Sequence, residues 1–351
     1  MTTIDLPTGT TEAEAPPAAP PPLLLPLPGP IGARKIAARV LGVGVLVTLI
    51  LTLPFALHWA GPTYATNFGV IIALAVLSIS VLGWIGEFSL ATLAQMGTGV
   101  VVLNFLQERD VPFVAILALV ILASIPVSLV LGVFALRLRG LYFAIATLAF
   151  AVLAQKTFFQ SYLGGQGGFE KPLERPSGLD TDLGLYYLFI GSVVVIAAIC
   201  YLISRSWIGT RLAALRDSEM AFSVLGHSPA RYKLFTVCLA GAIATLAGTY
   251  FGLLQQFVPA NYFNPSLSIV YFAYAVVGGL GSVAGAVGAG LVFGAVPKYI
   301  ETLSEGRLVG YDQVFAGAVA LVVILTLPKG LSELGSRIWR RIEGARTGAP
   351  R

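Results

Sequence analysis

Nine stretches of this 351-residue chain are almost free of charge and long enough to cross a membrane, near 36–53, 67–83, 88–106, 113–136, 141–160, 186–203, 232–256, 283–300 and 311–327; a shorter one lies at 267–280. A hydrocarbon core of roughly 30 Å offers the backbone no water, so each such run must satisfy its own N–H and C=O groups as a helix. Only 11% of the residues are charged and 56% are apolar, against roughly a quarter charged in a soluble domain. That balance excludes a soluble globular fold, a disordered chain, a disulfide-rich secreted fold and a heptad coiled coil. The expected fold class is all-α, a polytopic helical membrane protein of about ten transmembrane helices.

Residues 1–33 are rich in proline and read as a disordered cytoplasmic tail without a signal sequence. Residues 34–330 read as the transmembrane domain, with a cytoplasmic loop at 204–231, and 331–351 as a basic tail. The breaks fall at Gly, Pro and charge, and alternating them across the membrane places 16 of the 22 Lys and Arg on one side. Basic residues concentrate on the cytoplasmic face, so both termini are expected inside. The net charge of +5 is thereby assigned to the membrane interface and not to nucleic acid.

The same bookkeeping leaves no ionisable residue at mid-membrane depth, with Glu87 near the cytoplasmic end. Ion-coupled carriers and pumps place Asp, Glu, His or Lys inside the bundle to hold the coupling ion. No GxxxxGK[ST] phosphate loop occurs in the chain, so ATP, if used, is hydrolysed by another subunit. Cys200 and Cys238 have no partners at metal-ligand spacing and read as core side chains. No catalytic residue, metal site or cofactor is indicated. A pathway powered by a partner is the leading expectation, and a stand-alone secondary carrier or channel the competing class.

The loop from Arg205 to Lys233 reads as one short amphipathic helix, a turn at Gly226 and Pro229, and entry into the next span. Leu212, Leu215, Met220 and Phe222 form its apolar stripe, and Arg211, Arg216, Asp217 and Glu219 its charges. Such a helix can dock into a cleft of a separate motor domain; His227 reads as a solvated loop residue. Two Gly-rich breaks, Gly83 to Ser89 and Gly278 to Gly290, mark irregular backbone at membrane depth, tolerated where it is buried or lines a path. Gly285-x-x-Gly288 suits close helix packing. Tyr142 and Thr147 are polar side chains on an apolar helix, and the loop 163–169, containing Gly164 and Gly168, is Gly-rich.

Six motifs in order then resemble a known family: Gly83-x-x-Gly86-Glu87-x-Ser89-Leu90, Leu138-Arg-Gly-x-Tyr142 running to Thr147, Gly164-Gly-x-x-Gly168, Gly209-x-Arg-Leu-x-Ala-Leu-Arg-Asp-Ser-Glu-x-Ala221, Leu225-Gly226 before Tyr232-Lys-Leu, and Val277-Gly-Gly-Leu-Gly-Ser282. Over about residues 36–330 the chain resembles branched-chain amino-acid ABC transporter permeases of the LivM type. The resemblance implies a multi-pass subunit of the bacterial inner membrane. Its partners would be a second homologous permease, two cytoplasmic ATP-binding cassette ATPases and an extracytoplasmic substrate-binding protein. It assigns ATPase coupling to Arg211, Arg216, Asp217, Glu219 and Gly226, and the substrate path to Gly83, Gly86, Ser89, Tyr142, Thr147, Gly164 and Gly168. The chain departs from the family at Ala91-Thr92, Gly97 to Val100, Leu163 and Gly167, where the family carries other, often polar, residues. Branched-chain amino acids are thus the default substrate, beside urea, amides or other amino acids, and a sugar-type ABC permease shares the general architecture.

Overall fold

The uncharged runs become helices wherever the structure, a computed structural model, describes them: residues 60–162, 172–176, 181–303 and 317. In chain order these are α1 (Ala60–Leu82), α2 (Thr92–Gln107), α3 (Phe113–Arg137), α4 (Leu141–Tyr162), α5 (Asp182–Arg205), α6 (Trp207–Asp217), α7 (Glu219–Val224), α8 (Pro229–Gln255), α9 (Pro265–Gly278) and α10 (Val283–Leu303). Among the described residues no strand occurs. The runs at 36–53 and 311–327, both tails, and Gly164 and Gly168 lie outside the described residues.

Six of the described helices are long and apolar enough to cross a membrane. The other two predicted runs form shorter helices: α2 has 16 residues and α9 has 14. At 1.5 Å per residue they reach about 24 and 21 Å, less than a hydrocarbon core. Each follows an irregular segment, 83–91 before α2 and 256–264 before α9, and irregular backbone at depth persists only where protein surrounds it.

A helix apolar on every face belongs in the middle of a bundle, and α1 and α8 are the two buried almost all round. Their neighbours approach through residues without side chains. Gly99 of α2 lies on the Thr245 carbonyl of α8, and Gly248 of α8 on Met96 of α2. Gly69 faces Ala295, and Gly290 faces Ala73, where α1 crosses α10. The tight face of α10 is therefore Gly290 and Gly294, whereas Gly288 meets nothing within 4 Å; the Gly285-x-x-Gly288 pair is not the packing face, although Gly285 does contact Gly278. Much of the outer surface of α3, α4 and α5 is exposed apolar side chain, as expected of helices against lipid or another subunit. A π-helical turn at Ala154–Phe159 rotates Phe159 inward, where its ring fills the space beside Gly97.

The turns gather at two ends. One holds 83–91, 138–140, 205–228 and 279–282 and carries Arg139, Arg205, Arg211 and Arg216. The other holds 108–112, 172–176, 181–182 and 256–264, and is stitched by Asn67 donating to the Asp182 carbonyl at 3.0 Å and by the Arg175–Asp182 ion pair at 2.9 Å.

Candidate functional site

At the basic end, the loop after α5 holds two short helices where the sequence predicts one. The reason is Ser218: its hydroxyl accepts from the Ala221 N–H at 3.2 Å and starts α7 immediately after α6 ends. Ser206 does the same for α6 through Ile208. Such caps satisfy N–H groups that a helix start leaves unpaired. The predicted single stripe also divides. Leu212, Leu215 and Phe222 turn inward, and Phe222 packs on His227 and Tyr232 at ring separations of 5.1 and 5.3 Å. His227 is thus a partly buried packing residue and not a solvated one.

Met220, by contrast, is 80% exposed, beside Val224 at 81% and Leu225 at 72%. With Ser218 and Ala221 they line a shallow apolar hollow on the outer face of α7. Sequence reasoning missed Val224 and Leu225; the signal was Met220 and Val224 at i, i+4, opposite the inward Phe222.

The predicted coupling charges divide into outward and inward groups. Asp217 is exposed, and Arg216 lies beside it with Nε 3.7 Å from its carboxylate. Arg211 belongs to the loop's own packing, donating to the Tyr232 hydroxyl at 2.8 Å with its guanidinium over the Trp207 ring. Glu219 faces inward and pairs with Lys233 at 3.0 Å and Arg139 at 2.8 Å. Gly226, at φ 81°, makes the left-handed turn out of α7.

Lys233, in the first turns of α8, is only 2% exposed and Glu87 only 5%. Glu87 accepts from the Gly140 N–H at 2.8 Å and stands 3.9 Å from Lys233 Nζ. Burial is the main influence and pushes the Glu87 carboxyl above its usual range; the Gly140 N–H and Lys233 partly offset it. The chain therefore does bury an ion pair, at this end of the bundle.

The predicted path residues among the described residues cluster around the same segment, with one exception. Gly83 packs against the Gly281 backbone, and Trp84 Nε1 donates to the Gly281 carbonyl at 2.9 Å, so the two Gly-rich breaks meet. Gly86, at φ 74°, lies under the aliphatic stem of Arg216. Ser89 is buried and accepts from the Ala91 N–H at 3.1 Å. Thr147 accepts from the Leu90 N–H and donates to the Ala144 carbonyl, both at 2.9 Å. Tyr142 is 73% exposed and stands apart from them.

A cavity of about 190 Å³ opens between α1, α2, α8, α9 and α10. Phe68, Met96, Phe251, Tyr274 and Phe293 give it an apolar wall, and Gln255, Tyr262, Tyr271 and Lys298 supply polar atoms. Tyr64 donates to Gln255 at 2.8 Å, and Lys298 pairs with Glu301 at 2.6 Å. None of the predicted path residues among the described residues lines it. The aromatic run from Tyr262 to Tyr274 was the available signal. Among the described residues no group of three or more His, Cys, Asp or Glu stands ready to hold a metal ion.

The family described as "Branched-chain amino acid transport system / permease component" matches residues 61–325. The chain is 28% identical over 238 residues to the high-affinity branched-chain amino acid transport system permease protein LivM of Salmonella typhimurium, covering 60% of this chain and 55% of that protein. LivM of Escherichia coli K12 is 29% identical over 229 residues, covering 57% and 53%. A probable LivH permease of Methanocaldococcus jannaschii is 24% identical over 163 residues, covering 44% and 50%. The chain thus matches about half the length of these curated relatives. No solved structure matches it. The match over residues 61–325, together with the apolar helices, makes this a multi-pass membrane protein, and the chain belongs to the family of branched-chain amino acid transport system permease components.

Proposed function

We propose that the chain is the permease subunit of an ATP-binding cassette importer in the bacterial inner membrane, carrying branched-chain or related amino acids. It crosses the membrane about ten times with both termini inside, so the basic end is cytoplasmic. It pairs with a second homologous permease, two cytoplasmic ATPases and an extracytoplasmic substrate-binding protein. The observation that carries this reading is α7: a capped short helix at the basic end presents Met220, Val224 and Leu225 to solvent. Large apolar side chains grouped on an exposed helix mark an interaction site, and a helix laid into a groove is a recurrent docking mode. Arg216 and Asp217 flank the contact, with Arg211, Glu219 and Gly226 holding its shape.

The substrate path begins at the outer cavity and ends at the segment containing Gly83, Gly86 and Ser89, with Thr147 holding that segment's backbone. The cavity sets apolar side chains beside the polar atoms of Gln255, Tyr262, Tyr271 and Lys298, a mixed lining that suits an amino acid with an aliphatic side chain. Substrate choice rests mainly with the external binding protein. Reconstitution tests the reading: liposomes holding both permeases, both ATPases and the binding protein should take up leucine only with ATP. Uptake by this chain alone, driven by a gradient, would contradict it in favour of a secondary carrier.

A further inference from the structure

Lys233 has a conspicuous set of partners. An ammonium group has three N–H donors and no acceptor, and burying it is costly unless every donor is met. Here two donors are met at hydrogen-bond distance and a third group stands at ion-pair range, each from a different segment. The Ala135 carbonyl, in the last turn of α3, accepts at 3.2 Å. Glu219, the first residue of α7, stands at 3.0 Å. Glu87, between the Gly83–Gly86 break and α2, stands at 3.9 Å. Two outer groups close the cluster: Arg139 meets the same Glu219 oxygen, Oε2, at 2.8 Å, and the Gly140 N–H donates to Glu87 at 2.8 Å. Two acids meet two bases, so the cluster is neutral as a whole. Lys233 and Glu87 are both buried, so separating either from its partners leaves a charge uncompensated in a dry place.

A second contact runs parallel to the first. The stem of Arg216, at the end of α6, rests on Gly86, where an added Cβ would come within 2.8 Å of Cγ. The α6–α7 pair is thus fastened to the 83–91 segment by one ionic and one steric contact. A hydrophobic cluster of the same shape would hold the fold equally well. A directional ion pair adds that α7 cannot shift without moving Glu87 or separating charge. Coupling between sites needs an element both of them bias, and Lys233 is the atom-level junction of the two.

We propose that Lys233 is a positioning residue: by gripping Glu219 and Glu87 together, it transmits displacement of α7 to the 83–91 segment of the substrate path. This rests on the function proposed above, in which α7 receives the ATPase. The test uses the complete reconstituted transporter and reads uptake, ATP hydrolysis and retention of the ATPases side by side. Glu219→Gln cuts the arm to α7 and leaves Lys233 facing Glu87. Lys233→Met with Glu87→Gln removes the junction without stranding a charge, since Glu219 keeps Arg139.

Both variants should retain the ATPases and hydrolyse ATP, while uptake per ATP falls at least about fivefold, the lower end of ordinary allosteric coupling. Glu219→Asp, which keeps the charge, should return the ratio toward wild type. A purely structural role would lower uptake and hydrolysis together, and that result overturns the proposal. Wild-type uptake per ATP in both variants, or loss of both from the membrane, overturns it as well. Wild-type protein that never retains the ATPases would instead sink the functional reading, and this inference with it.

Discussion

A carboxyl group and an ammonium group buried together depend on each other for their charges, and Glu87 is where that dependence is measurable. Burial raises its carboxyl above the ordinary value of 4.5. The folded chain therefore holds the proton more tightly than the unfolded chain does. The stability this confers is fully present below about pH 4.5 and is lost as pH rises through the raised folded value. Relative to Glu87→Gln, the wild-type unfolding temperature in detergent should fall as pH rises across that window; parallel profiles would contradict the assignment. Thr147 offers a second residue-scale test. Thr147→Val removes the acceptor for the part-buried Leu90 N–H, and loss of such a hydrogen bond costs about 0.5–1.5 kcal/mol, read as a lower melting temperature. Thr147 was legible in the sequence as a polar side chain on an apolar helix, but its partner was not. That pairing depends on how α4 crosses the 83–91 segment, which local pattern does not encode.

Helices are where pattern was most informative, because a bilayer makes backbone satisfaction and apolar length the same requirement. All eight predicted runs within the described residues contain a helix. Length was less legible at α2, which starts at Thr92, four residues into its apolar run, because the irregular segment from Gly83 continues past the point where apolar composition resumes. The coupling loop was misread for a related reason. The Ser218 capping bond starts a second helix, and the stripe divides into inward Leu212, Leu215 and Phe222 and outward Met220. Met220→Asp with Val224→Asp should change stability by less than about 0.5 kcal/mol per site, as exposed substitutions do, yet release the ATPases in a pull-down from membranes. The crossing of α2 and α8 should behave oppositely. Gly248→Leu has no room beside the Met96 backbone and should cost at least about 1–3 kcal/mol of overpacking, seen as a lower melting temperature with α7 untouched.

Across the whole molecule, few charges carry most of the organisation. Sorting them by side predicted a basic face, and the fold brings 83–91, 138–140, 205–228 and 279–282 to one end. The sequence could not show that Lys233 leaves that face for the interior, because its partners Glu87, Ala135 and Glu219 come from separate hairpins. Orientation is checked by labelling: a cysteine at Val224 should react with an impermeant maleimide only from the cytoplasmic side, and one at Glu108 only from outside. Reversed labelling would overturn the proposed topology. The central claim is that transport energy enters this chain at α7, and the most direct test is nucleotide-dependent cross-linking from Met220→Cys in the assembled complex. The account predicts a covalent adduct with an ATPase subunit, its yield changing when ATP is bound. A Met220→Cys thiol that stays freely accessible to maleimide in an active complex and forms no such adduct would contradict it.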